Sequence, residues 1–160
     1  MQAEGGSPEI WTREGWLYLA CVLDTYSRKI VGWSMNERMT KDLVLDALRM
    51  ALGRRQVDGE SGLLHHSDRG SQYASEAYQE LLRAENITCS KQVQSTKYES
   101  PTAHFQQCVR VSYFLLRSSY FISRAEARTS VFDYIERFYN RLRRHSALGY
   151  LSPAQFEEAA

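Results

Sequence analysis

The sequence predicts a single α/β domain, and three observations predict it. Apolar residues recur first with a strand period and then with a helix period, in the order β-β-α-β-α-β as far as Cys89. The chain has 160 residues, 43% of them apolar, enough to bury one core and short for two. Capping and turn residues fall at the borders of the periodic segments rather than inside them.

Residues 1–9 read as a flexible leader rich in Gly and Ser, and residues 10–157 as the folded domain. Trp16-Leu17-Tyr18-Leu19-Ala20-Cys21-Val22-Leu23 is a nearly continuous apolar run, and Lys29 to Met35 follows it. The pair predicts a β-hairpin whose turn is Asp24 to Arg28. A strand apolar on both faces suits a central position covered from both sides. Thr40 stands where a helix from Lys41 to about Leu52 needs its cap. Val44, Leu48, Ala51 and Leu52 recur there at helical spacing, and Gly53 is expected to end it. Leu63 to His66 reads as a strand. Ser75 then caps a helix through Ala84, with Ala77, Tyr78, Leu81 and Leu82 on its buried face, and Ile87 to Cys89 is a short strand.

Residues 90–103 are polar and aperiodic, with Pro101 against an early helix, and predict a loop. Residues 104–117 fit neither period, so 91–117 reads as a divergent loop and helix region. Ser123-Arg124-Ala125-Glu126 is a capping box that opens a long helix toward Arg143. Its stripe is Ala127, Val131, Tyr134, Ile135 and Phe138.

Composition narrows the function classes. The net charge is +1, so no global field announces a polyanionic partner. From Phe105 to His145, however, eight Arg and no Lys face three acids, Glu126, Asp133 and Glu136, and that local excess of positive charge is suited to phosphate. Cys21, Cys89 and Cys108 lie far apart and share no metal-ligand spacing, which disfavours a disulfide framework or a zinc site. No apolar run approaches membrane-spanning length and no signal peptide is present, so a cytoplasmic protein without a membrane partner is expected.

The most informative motif is His65-His66-Ser67-Asp68-Arg69-Gly70-Ser71-Gln72-Tyr73. It places a carboxylate, Asp68, at the end of the Gly62-Leu63-Leu64 run, where a turn at Gly70 would set it in a polar mouth. Asp68 taken alone also fits a capping or turn acid. Asp24 likewise ends a strand and reads as turn-forming. His65 and His66 read as strand-end residues, and the Tyr and Trp residues as core.

Three blocks together resemble bacterial insertion-sequence transposases: Trp16 to Trp33 with its Asp24-Thr25-Tyr26-Ser27-Arg28 turn, the motif ending in Tyr73, and Tyr134 to Pro153. The resemblance is to their retroviral-integrase-like catalytic core. It implies an RNase H-like mixed sheet flanked by helices, and three acids binding two divalent ions, Mg2+ or Mn2+, for DNA strand cleavage and transfer.

Asp68 matches the second acid and so is the candidate catalytic and metal-binding residue. The first acid would lie near Gly6, where no carboxylate stands. Glu4 and Glu9 are nearest, in sequence without strand character, so the usual first strand is expected to be missing and Trp16 to Leu23 to be an open edge suited to dimerisation. Residues 69–103 make up the family's spacing from second to third acid, so His104 takes the place of the Glu, which the family carries on a helix. Glu99 is the possible substitute. Neutral imidazole favours softer ions than magnesium. Compensating frameshifts or drift after loss of selection would each produce such a divergent segment between matching flanks.

The resemblance therefore implies a transposition-associated protein with DNA as partner, nucleoid-associated if DNA-bound, and catalytically impaired because one acid of three is present. If active it would use Mg2+ or Mn2+, otherwise no cofactor. Arg128, Arg137, Arg141, Arg143, Arg144 and His145 are the candidate DNA contacts. For His145, helix C-terminal charge is the equal alternative. The rival reading is a non-catalytic DNA- or protein-binding module, partnered with itself or a full-length transposase, or a decayed fragment.

Overall fold

The structure, a computed structural model, describes residues 9–56, 64–67, 75–89, 104–108 and 120–160. It is a mixed sheet with helices on both faces. Strands β1 (Glu9–Thr12), β2 (Gly15–Asp24) and β3 (Ile30–Asn36) are antiparallel neighbours, with β2 between the other two. Helix α1 (Lys41–Arg55) follows, then β4 (Leu64–Ser67), α2 (Glu76–Ala84), β5 (Thr88–Cys89) and β6 (His104–Cys108). Strand β6 runs antiparallel to β2 and parallel to β4, and β5 lies parallel to β4 on its far side. Helix α3 (Arg124–Phe132) passes directly into a π-helical stretch, Asp133–Tyr139. A 3-10 turn, Ser146–Leu148, and helix α4 (Pro153–Ala159) complete the chain.

The alternation of β2 produces the two cores. Ala20 and Val22 pack on one face with Val31 and the buried stripe of α1 and α2, including Leu48, Tyr78 and Leu82. Leu17, Leu19 and Cys21 pack on the other with Ile10, Ile30 and the α3 residues Ala127 and Val131. The expectation that β2 is covered from both sides is met. Each fully buried Leu in it contributes about 1.5–3 kcal/mol. Gly32 lets α1 approach β3 closely, because a Cβ there would lie 2.1 Å from the Ala47 carbonyl oxygen.

Several expectations are corrected. Glu9 is not leader but the first residue of β1, whose two-residue turn is closed by Thr12 Oγ1 donating to the Gly15 carbonyl (2.7 Å). The edge expected to be open is paired: β1 covers Gly15–Tyr18 and β6 covers Cys21–Asp24. His104–Cys108 is not helix but a central strand, since β2 and β4 both present backbone groups that only a strand between them can satisfy. Helix α1 runs through Gly53 to Arg55 and stops at Gln56 in the left-handed region (φ 47°), because Arg54 and Arg55 are held by ion pairs to Glu136 and Asp24. The Thr40 hydroxyl makes no capping bond. Phe138, placed on the buried stripe by α-helical spacing, is 43% exposed, because the wider π-turn rotates it out. The rest of the loop and divergent segment, residues 90–103 and 109–117, lies outside the described residues.

Candidate functional site

The motif that singles out Asp68 enters the fold on β4. His65 is fully buried there and shares a 2.7 Å hydrogen bond with the Tyr78 hydroxyl of α2, which fixes the strand against the helix. Asp68 and Glu99 lie outside the described residues. His104 opens β6 level with Leu64, and the register carries the pair along to Ser67 opposite Gln107. Three residues of strand, about 10 Å, therefore separate the His104 backbone from the level of Ser67, the last described residue before Asp68.

Among the described residues no group of three or more His, Cys, Asp or Glu side chains could hold a metal ion. The residues that the resemblance sets at the three acid positions, Gly6, Asp68 and His104, offer one carboxylate and one imidazole. That donor set does not fit a pair of hard divalent cations, which need clustered oxygen ligands.

The basic candidates separate by what they touch. Arg128 donates to the Met35 carbonyl (2.9 Å) and ties α3 to the end of β3. Arg143 stacks over Tyr139 at 5.2 Å and donates to the Tyr134 hydroxyl (3.2 Å). His145 packs edge-on to Tyr139 at 5.3 Å, and its backbone N–H donates to the Leu151 carbonyl (3.0 Å). Burial holds its pKa below the ordinary value, and Arg143 and Arg28 add to the effect, so the ring is neutral at pH 7. Arg137, 76% exposed at its side chain, makes a 3.4 Å contact with Asp133 one turn earlier and no other ion pair among the described residues. Arg141 and Arg144 are exposed and have no ion pair among the described residues.

A cleft of about 640 Å³ opens beside these residues, lined by Lys29, Arg54, Arg55, Arg141, Glu136 and Glu158 among others. Its charges are largely spent on one another. Arg55 bonds Asp24 (2.6 Å) and Glu157, Lys29 bonds Glu157 (2.6 Å), and Arg54 bonds Glu136 (2.8 Å). The Asp24 carboxylate also accepts from the Tyr26 amide (2.9 Å), so it is the turn-forming residue expected and is buried besides. At the floor of this region Asn140 accepts from the Ile30 amide (2.9 Å) and donates to the Ile30 carbonyl (3.0 Å), closing the sheet edge against the π-helical stretch. Asn140, Arg55 and Glu157 carry no sequence signal of this role, because their partners lie far along the chain.

A mixed sheet wrapped by helices on both faces, with a His-Ser-Asp motif leaving its fourth strand, is the arrangement of an integrase core. Residues 8–92 match the family described as Integrase core domain, a second family of the same description matches residues 114–160, and the chain belongs to the integrase core domain family. It is similar to the transposase InsF for insertion sequence IS3A of Escherichia coli (strain K12), at 46% identity over 147 residues. It is also similar to the transposase for insertion sequence element IS904 of Lactococcus lactis subsp. lactis (strain IL1403), at 41% over 155 residues. The alignments cover 91% and 96% of this chain but only 50% and 60% of those proteins, so the chain spans about half the length of its relatives. Among the described residues no helix is long and apolar enough to cross a membrane.

Proposed function

We propose that this chain is a transposition-associated integrase-core protein with DNA as its partner, impaired in strand cleavage and transfer. The observation that carries the association is the match to transposases along nearly the whole chain. The impairment rests on the acid positions: Gly6 and His104 stand where carboxylates are needed, and the β4–β6 register sets the His104 backbone well back from Ser67. The cofactor follows the same logic, with Mg2+ or Mn2+ relevant only if Asp68 finds partners such as Glu99. Contact with DNA falls to Arg137, Arg141 and Arg144, since Arg128 and Arg143 are engaged internally and His145 is neutral.

Incubation with supercoiled plasmid and Mg2+ or Mn2+, beside an intact relative that nicks it, tests the reading. The expected result is DNA retention without nicking. Metal-dependent nicking that Asp68→Asn abolishes would overturn the impairment. Absence of DNA retention would favour the protein-binding alternative, for which the internal use of Arg128 and Arg143 is the supporting observation.

A further inference from the structure

Two of the three tryptophans stand outside the core in which their sequence pattern places them. Trp11 of β1 and Trp16 of β2 pair across the hairpin and remain 53% and 43% exposed, with ring centroids 4.8 Å apart and planes at 68°. In an edge-on pair one ring presents its rim to a face of the other, so flat indole surface stays open to solvent.

Alternation along β2 fixes the side of the sheet. Tyr18 packs against the cluster beneath α1, and Trp16, two residues before it, shares that face. Gly15 faces the other way, where a Cβ would lie 2.9 Å from Arg124 Nη2. Arg124 therefore crosses behind the hairpin. Its guanidinium pairs with Glu37 beyond the end of β3 (3.0 Å), and its backbone amide donates to Glu14 in the hairpin turn (2.8 Å). One residue thus engages both carboxylates. Three exposed cations at this end of the sheet have no ion pair among the described residues: Arg13 in the hairpin turn, and Arg38 and Lys41 where β3 passes into α1. Asn36 is level with Tyr18, so that passage leaves the sheet beside the indoles. Asp42, in the first turn of α1, complements the positive end of the helix.

We propose that this face binds an unpaired stretch of a DNA strand, with bases stacked on Trp11 and Trp16 and phosphates met by Arg13, Arg38 and Lys41. Every unpaired base offers a flat face to an indole, whereas a duplex closes its bases into a stack. The proposal rests on the reading of DNA as partner and names the form of DNA taken here, at a surface apart from Arg137, Arg141 and Arg144. Strand β4 runs parallel to β6, and β6 antiparallel to β2, so the strand leading into Asp68 points toward the end of the sheet that carries the indoles. Ser67 is level with Gln107 and Gln107 with Val22, six residues or about 20 Å along β2 from Trp16. A nucleic-acid strand that passes the motif along the sheet reaches the indoles within a few nucleotides. A second copy of the chain suits the face less well, because a two-fold contact there would bring the same three cations together.

Titration of the full chain with a short oligodeoxythymidylate, which cannot pair with itself, tests this through the tryptophans. Trp33 packs on the opposite face with its indole donating to Glu136 (2.8 Å), so it reports nothing from this surface. The expected result is quenching of tryptophan fluorescence by the oligonucleotide and none by a blunt, fully paired duplex. Anisotropy of the labelled oligonucleotide should show Trp11→Ala and Trp16→Ala each weakening its binding by roughly tenfold. Should an alanine variant fail to fold, Arg38→Glu with Lys41→Glu decides, since both positions are exposed and a Glu suits the first turn of a helix. That double variant should weaken the binding by at least as much. Equal quenching by the duplex, or variants that bind the oligonucleotide as tightly as the parent, would overturn the proposal. So would a dimer in sedimentation that Trp16→Ala dissolves. Quenching kept while duplex retention is lost would reject contact through Arg137, Arg141 and Arg144 and support this surface, and the reverse outcome would reject this surface alone.

Discussion

Two glycines show how differently one residue type is used. Gly53 lies exposed inside α1, and a Cβ there meets nothing within 4 Å. Gly32 lies under α1, where a Cβ would stand 2.1 Å from the Ala47 carbonyl oxygen and 2.7 Å from the Ala51 nitrogen, both backbone atoms that cannot swing aside. Gly53→Ala should therefore stabilise the fold by about 0.5–1 kcal/mol, through helix propensity and a less entropic unfolded chain. Gly32→Ala should destabilise it by about 3 kcal/mol, because helix and strand must move apart. Urea denaturation of both variants checks the pair, and equal effects of the same sign would contradict the close approach. The sequence offered the wrong contrast, since Gly53 reads as a helix stop and Gly32 as one more residue in a strand. Local pattern does not reveal which glycine has a backbone above it.

At the scale of elements, helix α4 is held by charge as much as by packing. Ser152 and Gln155 form a reciprocal capping box with Pro153 in the first turn, a signature present in the sequence though absent from the periodic stripes. Glu157 then reaches back to Lys29 and Arg55 across more than a hundred residues, which no local pattern can disclose. Burial alone would raise the Glu157 pKa. Hydrogen bonds from Lys29, Arg55 and Ser27, with the charge of Arg55, outweigh that and hold it below its ordinary 4.5. A carboxyl depressed in the folded state contributes stability that is present above its unfolded value and lost as pH falls through the folded one. Acid should thus loosen α4 below about pH 4.5, and Glu157→Gln should remove that part of the acid sensitivity while lowering stability at pH 7. A thermal melt series across this range decides, with parallel curves for the two proteins counting against the contact. The same division between local and distant signals explains the rest of the fold. The hairpin and both early helices were legible from period, although neither Thr40 nor Ser75 makes the capping bond expected of it, and the Ser123 cap was legible from its box; β6 was not, because its strand character comes from the two neighbours that demand a partner.

For the molecule as a whole, charge placement decides how the proposed association with DNA can be made. With a net charge of +1, long-range steering is weak and retention depends on a few exposed side chains. Six basic candidates stood out in the sequence, and their spacing could not reveal that Arg128 is spent on Met35, that Arg143 lies on Tyr139, or that His145 is neutral. The three proposed contacts, from Arg137, Arg141 and Arg144, imply a slope of log affinity on log salt of about −2.7, and so a loss of roughly 40-fold between 50 and 200 mM. Arg137→Ala, Arg141→Ala and Arg144→Ala together should flatten that slope to near zero without changing the thermal midpoint. Arg128→Ala should do the reverse, leaving the slope and lowering the midpoint, because it loses a bond that ties α3 to β3. Fluorescence anisotropy of a labelled duplex over a salt series measures the slopes. A triple variant that keeps the original slope would place the DNA contact elsewhere on the surface, and an Arg128→Ala variant that flattens it would return that residue to the interface.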